Sequence, residues 1–495
     1  MTNGMLRLSS ASGRWVMLAT VLGSSVAMLD STVVNIALPA IAEELGGGMA
    51  GLQWTVNGYT LTLAGLILLG GALGDRFGRR RIFVIGVIWF ALASALCAAA
   101  LNVEMLIAAR ALQGIGGALL TPGSLAIIQA SFVAYDRPRA VGAWAGLGGV
   151  AGALGPFLGG WLVGFAGWRW VFLINLPLAA ITVAVAWRHV PESTGGEPTD
   201  GRPVGRFDVL GAVLAAVGLT GITYALTELP AGRVDPLIIA SAVVGVGAAV
   251  WFVLVERRRT HRTSGPRAML PVDVFGSGQF TAINLVTLVV YGGLSLMMFL
   301  LVVHLQLVGQ FSPIAAGAAL LPVTVLMLLL SARAGALAQR VGPKPMMAIG
   351  LVVGAVGTVL LARIGPGASY LLDVLLPVTI FGIGLTAVVA PLTATVLATA
   401  EVRHAGIASG VNNAVARAAG LLAVAAVPPA VGLTGDAVND PAVFAAGFRL
   451  AMIVSAALLL AGAVITLVAI RGNVLRDDQP ADRPPLDSPI PDNLR

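Results

Sequence analysis

Asp30 is the residue whose surroundings restrict its chemistry most. It lies in residues 15–40, an otherwise uncharged and apolar stretch that is long enough to cross a bilayer. A carboxylate near the middle of a membrane-spanning helix costs about 2.5–3.5 kcal/mol. That cost falls when the group is protonated or faces water. A carboxyl group that gains and loses a proton at such a position is suited to couple proton movement to another process.

Arg110 is a second charge of this kind, within the apolar residues 104–128. A permanent cation in a low dielectric needs a counter-charge or water. Gln113, Gly114 and Gly117 would share its helix face. A structural ion pair is the alternative to a role in proton exchange. Two further arginines, Arg333 and Arg417, also fall within apolar stretches, and the sequence identifies no partner for Arg417.

Composition predicts an all-α integral membrane protein. The chain has 495 residues, of which 57% are hydrophobic and 11% charged, and its mean hydropathy is +0.92. A spanning helix needs about 20 mostly apolar residues. Fourteen stretches meet that requirement: 15–38, 52–73, 82–101, 104–128, 139–164, 168–187, 208–228, 235–255, 279–303, 313–338, 345–363, 370–397, 404–430 and 445–470.

Charge placement predicts that both termini are cytoplasmic, because cytoplasmic loops carry an excess of Lys and Arg. In that orientation four basic residues would lie outside: Arg169, Arg233, Arg363 and Arg449. The basic cluster at residues 256–267 would face anionic lipid. Cys97 is the single cysteine and excludes an internal disulfide. Abundant Arg, Ala and Gly suggest a bacterial source, so we expect a multi-pass protein of the bacterial inner membrane, acting as a monomer.

An internal repeat divides the chain. Residues 71–80 recur as residues 335–344, with identical residues at five of ten positions. Parallel repeats of this kind occur in transporters built from two six-helix halves. We therefore predict an N-terminal half (1–187), two inserted helices with cytoplasmic loops (188–278), a C-terminal half (279–470) and a disordered cytoplasmic tail (471–495).

Four segments resemble the major facilitator superfamily, and within it the fourteen-helix drug:proton antiporters. They are residues 29–39, 71–80, 106–117 and 148–160, in the order and on the helices that the family uses. The resemblance implies a major facilitator fold, with two six-helix halves plus two inserted helices. It also implies export of hydrophobic, often cationic drugs or antibiotics in exchange for protons, driven by the proton-motive force without a cofactor.

The resemblance also implies roles for individual residues. Asp30 would carry the proton, and Arg110 would help to govern its release. Residues of the loop between the second and third spans would form a charge-pair latch that gates the inner side: Gly71, Asp75, Arg76, Gly78, Arg79 and Arg80. Asp75 could instead sit at a helix N-terminus, where an anion is favoured. The second copy has Gln339 and Pro343 in place of an acidic and a basic residue, so no gating role extends to it.

The fifth span is unusually rich in glycine, which destabilises a helix unless backbones approach closely. One row along it contains Gly142, Gly146, Gly149, Pro156 and Gly160. The motif that resembles the antiporter signature comprises Gly148, Gly152, Gly155, Pro156, Gly159 and Gly160. Generic small-residue packing is the alternative to a hinge that also seals against leakage.

Hydrophobic drug sites combine aromatic and Met surfaces with a few polar groups. Candidates for such a pocket are Asn35, Trp54, Asn57, Tyr59, Gln113, Trp144, Asn284, Tyr291, Met298 and Gln306. Lipid contact or core packing would explain each of them equally well.

Other functional classes are less consistent with the chain. Its single lysine, Lys344, follows Pro343, so no phosphate-binding Gly-Lys-Ser/Thr loop exists. No cluster of residues has metal-ligand spacing, and nothing supplies a nucleophile with a base, so neither an ATP-driven pump nor an enzyme is expected. The partners expected are protons, a hydrophobic small molecule and lipid, with no nucleic acid. Proton-coupled nutrient uptake and a non-transporting membrane sensor remain as alternatives.

Overall fold

The computed structural model describes residues 5–133, 135–194, 208–228, 235–260, 270, 272–399 and 405–474. Within these ranges the chain is helical, with one isolated β-bridge between Leu6 and Phe132. The predicted tail beyond residue 474, and most of the loop predicted at 188–207, lie outside the described residues.

The helices of the N-terminal half are α1 (Ala11–Leu45), α2 (Gly48–Phe77), α3 (Arg79–Ala98), α4 (Val103–Ser131), α5 (Arg137–Ala166), α6 (Trp170–Leu173) and α7 (Asn175–His189). The inserted helices are α8 (Val209–Glu228) and α9 (Pro236–Thr260). The C-terminal half contains α10 (Gly278–Leu307), α11 (Pro313–Ala318), α12 (Leu321–Val341), α13 (Pro343–Leu361), α14 (Leu376–Ala398), α15 (Ala405–Ala430) and α16 (Pro441–Ala469). Short 3₁₀ segments at Val272–Gly276 and Gly435–Asn439 and a π-helical turn at Tyr370–Leu375 complete the described elements.

The all-α membrane architecture predicted from composition is confirmed. Among the described residues, thirteen helical segments are long and apolar enough to cross a membrane. Helix α2, which bends by 50° between Ile67 and Leu69, brings the total to fourteen.

The two halves use the same helix pairings. In the N-terminal half, α1 packs on α5 and α7, α4 packs on α2 and α3, and α3 packs on α7. In the C-terminal half, α10 packs on α15 and α16, α14 packs on α12 and α13, and α13 packs on α16. These are the same contacts, span for span, as expected of parallel structural repeats.

The halves meet at one end of the bundle. We call the end where α1 gives way to α2 the outer end, and the end that carries Asp75 the inner end. At the outer end, Gln306 Nε2 donates to Ile36 O at 3.0 Å, and Gln53 Nε2 donates to Val424 O at 2.6 Å. Helix α5 also packs there on α11. At the inner half of α5, by contrast, a Cβ added at Gly142, Gly146 or Gly149 would meet open space. The structure is therefore closed at the outer end and open along the inner half of α5.

The inserted helices form a pair on the side of this bundle. Helix α8 packs on α9, on α2 of the N-terminal half and on α15 of the C-terminal half. Near the outer end, Trp54 Nε1 donates to Glu228 Oε1 at 3.0 Å, and the Trp54 ring lies 6.0 Å from that of Tyr224. The pair thus contacts both halves.

Candidate functional site

Asp30 reaches the interior of the N-terminal half because one face of α1 carries small residues. Gly23, Ala27, Val34 and Ala37 share that face with Asp30, and all five are buried. A side chain larger than hydrogen at Gly23 would approach the Phe83 ring of α3 to 2.5 Å. Close helix approach therefore places the carboxyl group among α2, α3, α4 and α7, away from lipid.

Three donors satisfy the Asp30 carboxyl group, which has no solvent exposure. Arg110 Nη1 forms an ion pair with Oδ2 at 2.6 Å. Gln113 Nε2 and Asn175 Nδ2 donate to Oδ1 at 2.8 and 2.9 Å. Burial of a charge is tolerated when it is paired and hydrogen-bonded in this way.

Arg110 is held as firmly as its partner. Its Nε donates to Thr55 O at 3.0 Å, and Nη1 also donates to Gln113 Oε1 at 2.5 Å. The guanidinium carbon lies 4.4 Å from the centre of the Tyr59 ring and 5.8 Å from that of Phe172. Such cation–π contacts favour a cation over an aromatic face.

Ser94 and Asn175 complete the site, and sequence reasoning missed both. Ser94 Oγ accepts hydrogen bonds from Gln113 Nε2 at 2.7 Å and from Asn175 Nδ2 at 3.2 Å, so it orients the two amides that hold Asp30. Asn175 is the first residue of α7, directly after the break that separates α7 from α6. A lone asparagine within the apolar span 168–187 was the available signal.

This arrangement encloses Asp30 and does not present it to a bound molecule. Every described contact of the carboxyl group comes from the N-terminal half, and the site is enclosed. Protonation would neutralise the carboxylate and leave the Arg110 charge without a counter-ion. The Asp30–Arg110 ion pair and its described donors therefore lie inside a single half.

The loop between α2 and α3 forms an ion pair within itself and contacts the segment that follows α7. Arg79 Nη2 pairs with Asp75 Oδ1 at 2.8 Å. Asp75 lies in the last turn of α2, so the alternative placement at a helix N-terminus is wrong, because α2 extends to Phe77. Instead Glu192 lies at the start of α3 and accepts from the backbone N–H groups of Arg80 and Arg81 at 3.0 and 3.2 Å. A carboxylate at that position is favoured by the helix dipole.

Gly71, Arg76 and Gly78 are the other residues of the predicted gating motif. Gly78 has φ +107°, and a Cβ there would lie 2.7 Å from a Glu192 carboxylate oxygen. Gly71 faces Pro122 of α4, and the Arg76 guanidinium lies 5.4 Å from the Phe77 ring centre. Only glycine fits the position between Glu192 and the start of α3 without strain.

The glycines of α5 divide into a packed face and an open face. Gly148 and Gly152 lie against Met28, Gly155 lies against Thr32, and Gly159 lies against the backbone of Val33. Thr32 Oγ1 also donates to Gly152 O at 3.0 Å. One motif of α5 thus supports the turn of α1 that carries Asp30. At the outer end, Pro156 and Gly160 instead meet α11 of the C-terminal half.

The predicted pocket residues do not form one cluster. Trp54 binds Glu228 on α8, Trp144 Nε1 donates to Ser24 Oγ at 2.9 Å, and Asn284 accepts from Asn412 at 3.2 Å. Tyr59 and Gln113 belong to the Asp30 site. Gln306 lines a recess of about 400 Å³ at the outer end. Asn35, Tyr291 and Met298 are half-buried, whereas Asn57 is 1% exposed.

A second ionic cluster lies where α8 begins and α9 ends. Arg259 pairs with Asp208, whose Oδ1 also accepts from Gly211 N at 2.5 Å. Glu256 has no exposure, and its Oε2 accepts from Leu270 N at 2.5 Å. Burial opposes ionisation of Asp208, but the neighbouring Glu256, Arg259 and Gly211 N–H outweigh it and hold the pKa of Asp208 below its usual range. Glu256 and Arg259 therefore join the two inserted helices, and the expectation that they face lipid is wrong.

Comparison with known proteins gives a consistent result. Residues 20–230 and 204–424 match the family model described as Major Facilitator Superfamily. The chain is 35% identical over 470 residues to the methylenomycin A resistance protein of Bacillus subtilis (strain 168), covering 93% of this chain and 94% of that protein. It is also 35% identical to the puromycin resistance protein pur8 of Streptomyces alboniger, covering 83% of this chain and 80% of that protein.

The tetracenomycin C resistance and export protein of Streptomyces glaucescens is 32% identical, with coverage of 83% and 74%. Among solved structures, a bacterial homolog of the human lysosomal transporter Spinster, in an inward-facing and unoccupied conformation, superposes with a TM-score of 0.67. The superposition covers 95% of this chain and 99% of the homolog at 16% sequence identity, which shows that the two proteins share a fold.

Proposed function

The chain belongs to the major facilitator superfamily, and from that premise we propose that it exports hydrophobic small molecules, antibiotics among them, in exchange for protons. The family and the relatives make it a multi-pass membrane transporter of the drug-efflux type, not an enzyme. The relatives are named for resistance to, or export of, antibiotics. We place it in the bacterial inner membrane with both termini in the cytoplasm.

The observation that carries proton exchange is the enclosed Asp30 carboxyl group with its three donors. A titratable group inside a membrane bundle has a functional role by default. A proton that enters the cell down 100 mV supplies about 2.3 kcal/mol. We propose that protonation of Asp30 from outside frees Arg110 and favours release of the cargo, and that loss of the proton to the cytoplasm restores affinity.

Helix α5 supports the same proposal. Its packed glycines fix the Asp30 turn of α1, and Pro156 and Gly160 meet the opposite half. A change at Asp30 can therefore reach the contact between the halves through one helix. The resemblance implied an often cationic cargo, but the enclosed Asp30 carboxyl group offers a cation no contact in this state.

The test uses everted vesicles from a drug-sensitive bacterium that expresses the chain. The vesicles are energised, lipophilic compounds are added, and proton release from the lumen is followed by a quenched dye. We expect Asp30→Asn to abolish substrate-driven proton release, because an amide does not take up and release a proton as a carboxyl group does.

Glu43→Gln is the matched control. It makes the same chemical change on the same helix, at an exposed carboxylate near the outer end, and should retain the wild-type signal. Equal signals in wild type and Asp30→Asn would refute a coupling role for Asp30.

A further inference from the structure

Arg417 is a cation in the middle of the membrane bundle, and none of the described residues neutralises it. It lies on α15, 12 residues from Ala405 and 13 from Ala430, which is roughly 18 Å from either end of the helix at 1.5 Å per residue. Its side chain is half-buried, and its buried Nε has no hydrogen-bond partner in the described part of the chain. A cation at that depth in the membrane needs a counter-charge or water, and the described residues supply no counter-charge.

The neighbouring helices offer no carboxylate at that depth. Helix α15 packs on α2, α8, α10, α14 and α16, and of these α10, α14 and α16 contain no Asp or Glu. Asp75 lies at the inner end of α2 and pairs with Arg79. Glu228 is the last residue of α8 and accepts from Trp54. Asp30, further away on α1, is already paired with Arg110.

A second unpaired donor lies on the helix that faces Arg417. Gln53 of α2 donates to Val424 O of α15, so this face of α2 is turned towards α15. Asn57 is one helical turn further along the same face, is 1% exposed, and its Nδ2 has no partner among the described residues. Two facing helices thus present unused donors where the halves meet.

The chemistry of these donors selects an anion with an apolar body. A guanidinium binds the two oxygens of a carboxylate or a similar oxyanion with parallel hydrogen bonds. On the face of α15 that carries Arg417, the residues three and four positions away are Asn413, Ala414, Gly420 and Leu421. Three of these four are apolar, so the face suits a molecule with an apolar body better than a hydrated ion. A cationic molecule would be repelled by Arg417.

We propose that Arg417 binds an acidic group of the cargo, so that the exported compounds include largely apolar molecules that carry a carboxylate or comparable oxyanion. This assignment rests on the proposed export function and names the charge of its cargo. It gives the C-terminal half the contact with the cargo, whereas the N-terminal half holds the proton.

The test compares two probes that differ by one charged group. The purified full-length protein in detergent is titrated with 1-anilinonaphthalene-8-sulfonate and with N-phenyl-1-naphthylamine, which has the same rings without the sulfonate. Binding is measured from the shift in thermal unfolding midpoint, with wild type, Arg417→Gln, Arg417→Lys and, as matched control, Arg333→Gln. Arg333 is an exposed arginine of α12.

We expect Arg417→Gln to weaken sulfonate binding about tenfold, the size of one lost charge-assisted hydrogen bond. Arg417→Lys should recover part of the loss, Arg333→Gln should bind as wild type, and the uncharged probe should bind all four proteins equally. Unchanged sulfonate binding in Arg417→Gln, or equal loss of both probes, would refute the assignment. So would displacement of the sulfonate by chloride at equal concentration, which would indicate an inorganic anion site.

This measurement needs no proton gradient. Its outcome is therefore separate from that of the Asp30→Asn vesicle experiment. If Asp30→Asn loses coupling in the vesicles and Arg417→Gln still binds the sulfonate like wild type, the export proposal stands and the acidic-cargo assignment is refuted. Arg417-dependent binding of the sulfonate without any proton movement would leave an anion-binding site at Arg417 and remove the proposal of proton-coupled export.

Discussion

At the scale of single residues, the Asp30 carboxyl group is held by three donors that belong to two different helices. Arg110 and Gln113 come from α4 and Asn175 comes from α7, while Ser94 of α3 holds the two amides in place. Because each donor depends on the position of its own helix, the carboxyl group reports the packing of the whole N-terminal half. A proton taken up by Asp30 weakens all three bonds at once.

Asn175 is the donor whose contribution can be isolated. We expect Asn175→Leu to lower the free energy of unfolding by about 1.5–3 kcal/mol, the cost of one hydrogen bond to a charged group. Leu has nearly the same shape as Asn, so the change removes the bond without leaving a large cavity. The measurement is the thermal unfolding midpoint of the purified protein in detergent.

Asn35→Leu on α1 is the control for this substitution. The buried Asn35 Oδ1 has no partner among the described residues, so its removal should leave the midpoint close to that of wild type. Equal effects of the two substitutions would contradict a specific role for Asn175 at Asp30.

The sequence predicts the charged members of this site and some neutral ones, but not Asn175 or Ser94. Asp30 and Arg110 stand out because a charge in an apolar span is expensive, and Gln113 shares a face with Arg110. Asn175 and Ser94 are ordinary polar residues of apolar helices, and only the pairing of α3, α4 and α7 brings them to Asp30. The pocket candidates show the same limit, since Trp54 and Trp144 are engaged by Glu228 and Ser24.

At the scale of elements, α5 connects the Asp30 site with the contact between the halves. Its motif from Gly148 to Gly159 packs on α1, whereas Gly160 packs on α11, where an added Cβ would lie 2.8 Å from Ile314 Cα. Backbone atoms cannot move aside as the end of a side chain can. The outer contact therefore depends on the missing side chain at Gly160.

We expect Gly160→Ala to open the outer end. The added methyl group should force α5 and α11 apart and expose the outer recess, which Ala42 lines. The measurement is the rate at which a maleimide labels Ala42→Cys, which we expect to rise several-fold. Cys97 is fully buried and should contribute little labelling.

Gly146→Ala provides the comparison on the same helix. No atom lies within 4 Å of a Cβ at Gly146, and alanine is favoured over glycine in a helix, so labelling of Ala42→Cys should stay unchanged. A rise of the same size in both variants would show that the effect is not specific to the α5–α11 contact.

At the scale of the whole molecule, the sequence predicts the spans and the equivalence of the two halves. It does not predict where the inserted helices pack. Hydropathy gives the spans, and the repeat of residues 71–80 at 335–344 indicates the equivalence of the halves. Periodicity does not show which surface α8 covers, because both α8 and α9 are apolar around their circumference. The structure places α8 on α2 and α15, so the inserted pair touches both halves.

If the halves rock against each other during transport, α8 cannot keep both contacts, and we expect it to move with the N-terminal half. Its contact with α2 extends from Trp54 and Glu228 at the outer end to Gly65 and Ala216, where a Cβ at Gly65 would lie 3.2 Å from Ala216 Cβ. This distance is close to the Cβ–Cβ distance of about 3.5–4.5 Å in a disulfide.

Gly65→Cys with Ala216→Cys, in a Cys97→Ser background, should therefore cross-link on oxidation and keep substrate-driven proton release in everted vesicles. Full activity in the reduced protein that disappears on oxidation and returns with reductant would show instead that α8 slides along α2 and travels with α15.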